Sequence, residues 1–188
     1  VGGGLPAGVI DIDRSAGDNM KAIAEAKGIP VSQAMACVLD RPRHADIIAS
    51  IRETGARITL ISDGDVAGVM ATANPDTGID MYVGTGGAPE GVLAAAALRC
   101  IGGQMQGRLV FRNEDEKARA AKWGIKDLHR TYSLDELAAG NVIFAASGVT
   151  DGSMLKGVRQ AGGRVRTESI VMRSHTGTVR YVRGDHRA

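Results

Sequence analysis

The sequence predicts an α/β protein with a mostly parallel sheet and an antiparallel hairpin near its end. Short apolar segments with the composition of strands alternate with helical segments along most of the chain. Strands joined in this way by helices form parallel sheets with helices on both faces. Near the end, strand-like segments at residues 165–173 and 178–183 are separated only by residues 174–177. So short a connection is typical of a hairpin.

Three helices and three strands are predicted in the first half of the chain. The predicted helices are residues 18–27, 44–53 and 66–73, and the predicted strands are residues 34–39, 57–61 and 79–83. Asp18 is expected to cap the first helix and Gly28 to end it. The second helix carries its apolar residues on one face and ends at Gly55.

The second half is predicted to add two helices, a helix start and further strands. The first helix begins at Pro89, which suits the first helical position, and runs to about residue 101. A strand at residues 105–111 precedes a charged helix at 114–123, which Asn113 can cap. Ser133 to Glu136 has the pattern of a capping box, and residues 141–146 resemble another apolar strand.

The bulk composition predicts one globular domain over residues 1–188. With 188 residues and 44% hydrophobic content, the chain can bury a core. Its longest apolar stretch, residues 92–98, is much shorter than the roughly 20 residues of a membrane span. Cys37 and Cys100 lie in apolar segments and are expected to be free buried thiols. Free thiols indicate a reducing compartment, so a cytoplasmic location is expected.

The end of the chain is rich in arginine, which raises the question of nucleic-acid binding. Six arginines, at positions 164, 166, 173, 180, 183 and 187, stand against Glu168 and Asp185. Tyr181 is the only aromatic residue in this region that could stack on a base. The arginines alternate with apolar residues, as on the solvent face of a strand. No nucleic-acid partner is therefore predicted.

Residues 79–93 read as a strand, a glycine turn and a helix, an arrangement suited to an anion or metal site. Gly84, Gly86 and Gly87 allow the backbone to approach a ligand closely, and Glu90 lies at the helix start. An ordinary strand-to-helix connection explains the segment equally well. A dinucleotide site is excluded because Pro89 stands where a third glycine is required.

Two further polar clusters follow predicted strands. In the first, Arg41, Pro42 and Arg43 could grip a phosphate, although ordinary surface arginines explain them as well. His44 follows them and is interpreted as a polar residue at a helix start. In the second cluster, Asp63 and Asp65 flank Gly64 and could bind sugar hydroxyls or a hard cation. Because ligands gather at the carboxyl ends of parallel strands, the clusters together predict a site for a phosphorylated sugar.

Several long motifs resemble the class II fructose-1,6-bisphosphatases of bacteria, including the dual fructose-1,6-/sedoheptulose-1,7-bisphosphatases of cyanobacteria. The resemblance covers almost the whole chain, and its motifs are residues 40–44, 61–66, 86–92, 105–109, 142–152 and 171–174. It implies a layered helix/sheet sugar-phosphatase fold similar to that of inositol monophosphatase. It also implies a metal-dependent enzyme of gluconeogenesis or the Calvin cycle.

The resemblance also implies an activity and a set of site residues. The reaction would be hydrolysis of the 1-phosphate of fructose 1,6-bisphosphate with Mg²⁺ or Mn²⁺, and sedoheptulose 1,7-bisphosphate is a second expected substrate. Glu90 would be a metal ligand. The substrate would be bound by Arg41, Pro42, Arg43, Asp63, Gly64, Asp65 and Gly87. A homo-oligomer, either a dimer or a tetramer, is expected.

One part of the family pattern has no match in residues 1–188. The family carries Gly-Glu-Gly-Glu and Asp-Pro-Leu-Glu-Gly-Thr motifs, which supply the other metal ligands, ahead of the region that matches here. Neither motif occurs in this sequence, which therefore resembles only the C-terminal half of the enzyme. Glu90 alone would hold a hard cation poorly. The isolated chain is expected to be inactive, and a non-catalytic sugar-phosphate binding module is the alternative.

Overall fold

The computed structural model describes residues 1–187 and shows a mixed α/β architecture with one parallel and two antiparallel sheets. The helices are α1 Ala16–Lys27, α2 Ala45–Glu53, α3 Asp65–Ala71, α4 Ala88–Ile101, α5 Glu114–Lys122 and α6 Leu134–Leu137. The strands are β1 Met35–Leu39, β2 Arg57–Ile61, β3 Met81–Tyr82, β4 Gln106–Arg108, β5 Thr131–Ser133, β6 Ile143–Ser147, β7 Arg159–Ala161, β8 Arg164–Arg173 and β9 Thr178–Arg187. An α/β fold is thus confirmed.

The parallel sheet has the order β2-β1-β3, with β1 in the centre. Four of the five residues of β1 are buried, and the core beneath them includes Met20 and Ile23 of α1 and Ile51 of α2. The buried Asp80, just before β3, accepts a hydrogen bond of 2.8 Å from the backbone N–H of Met35 and pairs with Lys27. This carboxylate fixes β3 against the start of β1.

The first helix begins earlier than the sequence indicated. Its cap is Ser15, whose Oγ accepts a hydrogen bond of 3.0 Å from the N–H of Asp18. The prediction that Asp18 is the cap was therefore wrong, because Ser15 has the extended backbone that a cap requires. The predicted end is confirmed, since Gly28 adopts the left-handed conformation with φ of 65°.

The expectation of a mostly parallel sheet is wrong beyond α4. Strands β4 and β5 form an antiparallel pair, and β6, β7 and β9 all pair antiparallel with β8. Parallel pairing needs a long crossover, and short connections join β7, β8 and β9 instead. The predicted hairpin is confirmed, with Arg173 opposite Thr178.

Helix α4 packs on one face of the larger antiparallel sheet, which is formed by β6 to β9. Ala97 and Cys100 of α4 share a core with Phe144 of β6 and with Ile170 and Met172 of β8. Alanine and cysteine on the helix allow the sheet to approach closely. Both cysteines are free and buried, as predicted. Within residues 1–187, no helix has the length and apolar character needed to cross a membrane.

Candidate functional site

The three predicted clusters follow the three strands of the parallel sheet. The arginine segment follows β1, the aspartate segment follows β2, and the glycine turn follows β3. Since the strands are parallel and β1 is central, the arginine segment lies between the other two at the carboxyl edge of the sheet. The structure therefore brings the sequence-predicted residues to one edge.

The two arginines are fastened to different neighbours. Arg41 donates from Nη2 to the carbonyl oxygen of Ser62 at 2.6 Å, which links it to the segment after β2. Arg43 donates from Nε to the carbonyl oxygen of Thr85 at 2.9 Å, which links it to the turn after β3. Pro42, which lies between them, starts a single turn of 3₁₀ helix that includes Arg43. Each guanidinium has five N–H groups, so both keep donors for an anion.

His44 lies beneath this edge and is fully buried. Its Nε2 lies 2.9 Å from the backbone nitrogen of Thr85, whose N–H can only donate, so Nε2 is the acceptor. The imidazole hydrogen is then on Nδ1, which donates to the carbonyl oxygen of Leu39 at 2.9 Å. His44 does precede α2, but its side chain makes no capping hydrogen bond. No local sequence pattern distinguished this buried position from that of a polar residue at a helix start.

Gly64 and Asp65 open helix α3. Gly64 adopts a left-handed conformation with φ of 88°, which favours glycine at this turn. Asp63 is exposed, whereas Asp65 is half-buried beside the phenol of Tyr82. Burial, and then the Asp65 carboxylate, raise the pKa of the Tyr82 hydroxyl. The hydroxyl therefore remains protonated and can donate toward Asp65.

The carboxylates of Asp65 and Glu90 both lie beside Gly86. A Cβ atom on Gly86 would lie 2.6 Å from Oδ2 of Asp65 and 3.8 Å from Oε2 of Glu90. Glu90 accepts a hydrogen bond of 3.1 Å from the N–H of Gly87, the residue before α4, so its carboxylate satisfies a backbone donor at the start of the helix. Residues 84–90 are exposed, so this edge is open to solvent. Sequence reasoning did not identify the proximity of these two carboxylates.

The described residues do not form a complete metal site. Asp65 and Glu90 are hard oxygen donors of the kind that Mg²⁺ prefers. However, residues 1–187 contain no group of three or more His, Cys, Asp or Glu side chains that could hold a metal ion. Protein-bound Mg²⁺ is often held by one or two carboxylates together with water and phosphate oxygens, so Asp65 and Glu90 could contribute ligands but do not form a dedicated metal centre by themselves. Glu90 could therefore supply one ligand of a metal ion, and the described residues do not supply the full set.

A depression of about 370 Å³ adjoins the arginine segment. Arg41 and Arg52 contribute charged groups to its lining, and Ile48 and Leu60 contribute apolar surface. It lies between α2 and β2, and Asp65 and Glu90 are not among its lining residues. The polar groups beside Gly86 therefore form a separate, open surface. In chemical terms, this edge offers cations for phosphate groups and carboxylates for hydroxyls or a hard cation.

Comparison with known proteins places this geometry in a family context. The family model described as bacterial fructose-1,6-bisphosphatase, glpX-encoded, matches residues 1–186. A protein of Synechocystis sp. (strain PCC 6803) is 42% identical, with 93% of this chain aligned to 54% of that protein. It is named D-fructose 1,6-bisphosphatase class 2/sedoheptulose 1,7-bisphosphatase.

Two further cyanobacterial relatives carry the same name. The protein of Synechococcus sp. (strain JA-2-3B'a(2-13)) is 43% identical, and that of Crocosphaera subtropica is 42% identical. In both, 93% of this chain aligns to 54% of the relative, so the chain spans about half the length of the curated relatives it matches. With a family model that matches nearly every residue, the chain belongs to the bacterial, glpX-encoded fructose-1,6-bisphosphatase family.

Proposed function

We propose that this chain provides the substrate-binding edge of an enzyme that hydrolyses the 1-phosphate of fructose 1,6-bisphosphate. Sedoheptulose 1,7-bisphosphate is the second proposed substrate. The observation that carries the proposal is the meeting of three polar segments at one sheet edge in a member of this family. Arg41 is hydrogen-bonded to the segment after β2, and Arg43 to the segment after β3. Two guanidinium groups held on either side of β1 suit a ligand with two phosphate groups.

The roles of the side chains follow from their chemistry. Arg41 and Arg43 bind phosphate oxygens, with Pro42 fixing the backbone between them. Asp63 and Asp65 accept hydrogen bonds from sugar hydroxyls. Gly64 and Gly87 let the backbone approach the ligand, since neither carries a Cβ atom. Glu90 contributes one carboxylate to a Mg²⁺ or Mn²⁺ ion.

The chemical step needs more than these residues. A bound divalent cation neutralises phosphoryl oxygens and lowers the pKa of a water molecule. The residues of this chain bind and orient the sugar phosphate, and Glu90 supplies a single ligand. The remaining ligands come from outside the described residues, so the isolated chain is inactive. A layered fold similar to inositol monophosphatase, a dimer or tetramer, and a cytoplasmic location belong to the same proposal.

Substrate binding can be tested on the chain itself. Titration calorimetry with fructose 1,6-bisphosphate should show binding without metal, and Arg43→Gln should weaken it at least about tenfold, as expected for a charge-assisted contact. Arg180→Gln is the matched control, because Arg180 is an exposed arginine on β9. Equal effects of the two substitutions would contradict the proposed site.

Turnover requires a complete enzyme. We suggest joining this chain in frame to the segment of the Synechocystis relative that has no counterpart in residues 1–188. Phosphate release with Mg²⁺ should be lost in Glu90→Gln and retained in Glu114→Gln, which changes an exposed acid in α5. If Glu90→Gln leaves turnover intact, the metal role is wrong. Phosphate release by the isolated chain would contradict its predicted inactivity. Substrate binding with no turnover in either protein would favour the non-catalytic module.

A further inference from the structure

A second polar groove lies on the antiparallel sheet, away from the residues of the proposed site. It has a volume of about 450 Å³, within the range of small-molecule sites. Its charged lining consists of four cations and two carboxylates: Lys156, Arg159, Arg166, Arg183, Glu168 and Asp185. None of these residues belongs to the three clusters at the parallel sheet. The groove therefore carries excess positive charge that the proposed function does not use.

The carboxylates hold the arginines in place. Oε1 of Glu168 accepts hydrogen bonds from Nε and Nη2 of Arg183, at 3.2 and 2.9 Å. Oε2 of Glu168 accepts another from the backbone N–H of Lys156 at 3.0 Å. These contacts, first that of Lys156 and then that of Arg183, lower the pKa of Glu168 and keep it ionised. Arg183 is thus oriented before any ligand binds.

The loop that contains Lys156 and Gly157 lines one side of the groove and is closely packed. The N–H of Gly148 donates to the carbonyl oxygen of Glu168 at 2.9 Å, and the N–H of Gly157 donates to Asp151 at 2.9 Å. A Cβ atom on Gly157 would lie 2.6 Å from the carbonyl carbon of Thr150, so only glycine fits. The Gly-Val-Thr-Asp-Gly sequence at residues 148–152 has no place in the first site, and here it supports the groove.

We propose that this groove is a second anion site, which binds a small soluble molecule bearing phosphate groups. Arg166 and Arg183 lie on the same face of the sheet, since Glu168 is opposite Arg183 and two residues from Arg166. Their carboxylate contacts occupy only part of the five N–H groups of each guanidinium. Lys156 adds charge from the loop and Arg159 from β7, where Arg159 is also paired with Asp151 at 3.1 Å. Oriented guanidinium groups with spare donors match the oxygens of a phosphate.

The test uses sodium pyrophosphate as the probe and backbone amide NMR as the measurement. In low salt with EDTA, pyrophosphate should shift the amide signals of Gly157, Thr167 and Asp185 at the groove, whether or not it also shifts those at residues 84–87. The double variant Arg166→Ser/Arg183→Ser should weaken binding at the groove at least about tenfold, without changing any response at residues 84–87. Absence of shifts at the groove up to about 10 mM pyrophosphate, a concentration that would detect even millimolar affinity, would overturn the proposal.

Two further variants separate a site from general surface charge. Arg180→Ser removes an arginine from the opposite face of β9, because alternate residues point to opposite faces, and it should leave the groove shifts unchanged. Lys156→Gln keeps every carboxylate contact of the arginines and its own backbone hydrogen bond, so the fold is preserved. It should weaken pyrophosphate binding at least about threefold. Equal losses in Arg180→Ser and Lys156→Gln would mean that only overall charge matters.

Discussion

The backbone N–H of Thr85 donates a hydrogen bond of 2.9 Å to Nε2 of His44, a side chain with no exposed surface. The other ring nitrogen of His44 is bonded to the end of β1 through Leu39. A single imidazole thus joins the central strand to the glycine turn that follows β3. Because both nitrogens are used by the backbone, His44 positions the site and is not available to transfer a proton.

His44→Leu should destabilise the protein by about 2–4 kcal/mol, since the N–H of Thr85 and the carbonyl of Leu39 would lose their buried partner. His44→Gln retains one donor and one acceptor and should lose less than half as much. Urea unfolding of the three proteins measures both effects. The same loss in both variants would mean that packing, and not hydrogen bonding, is the role of the imidazole.

Gly86→Ala should weaken binding of fructose 1,6-bisphosphate at least about tenfold, because the new methyl group would displace the Asp65 carboxylate. Gly91→Ala is the matched control, since a Cβ atom there meets nothing within 4 Å. Inside α4, that change should stabilise the protein by about 0.5–1 kcal/mol. Calorimetry and thermal unfolding measure the two outcomes. Unchanged binding in Gly86→Ala would show that the position of Asp65 is unimportant.

Asp80→Ala should lower the free energy of unfolding by about 2–3 kcal/mol. The substitution leaves the N–H of Met35 without its partner at the start of β1 and removes the ion pair with Lys27. Asp76→Ala, a change at an exposed acid in the same connection, should alter stability by less than about 0.5 kcal/mol. Urea unfolding compares them, and similar values would rule out a special role for Asp80.

The Cys37 thiol should react slowly with a disulfide reagent in the native protein. Burial, and then the nearby Asp65 carboxylate, raise its pKa to about 11. At pH 8, only about one thiol in a thousand is then ionised, and the thiolate is the reactive form. Labelling of a Cys100→Ser variant should accelerate about tenfold per pH unit up to the pKa, and much more on unfolding in guanidinium. Rapid labelling at pH 8 without denaturant would contradict this environment.

Local sequence signals predicted the elements that have strong local patterns. The bounds predicted for β2 match the structure, and α4 differs from its prediction by one residue at its start. Glycine and proline mark the ends of these elements, and their apolar residues are closely spaced. The strands β5 and β7 were missed because Thr-Tyr-Ser and Arg-Gln-Ala are not apolar segments of the kind that indicates a strand. Arg159 belongs to a strand only because Arg166 lies opposite, a relationship that no local pattern reveals.

The location of the candidate site was predictable from the sequence, but the contacts between its side chains were not. Polar residues at the ends of parallel strands must share an edge, so the meeting of the three clusters followed from the strand pattern. The burial of His44 and the crowding of Asp65 and Glu90 around Gly86 depend on side-chain directions in the folded chain. These directions are set by packing between elements, which a single sequence does not display.

The different attachments of Arg41 and Arg43 have a consequence for ligand choice. One guanidinium is tied to the main chain after β2 and the other to the main chain after β3. The distance between the two guanidinium groups therefore depends on the separation of these strands more than on the flexibility of the arginine side chains. Under the proposed function, the pair would therefore favour a ligand whose two phosphate groups are separated by a distance that matches the two arginines.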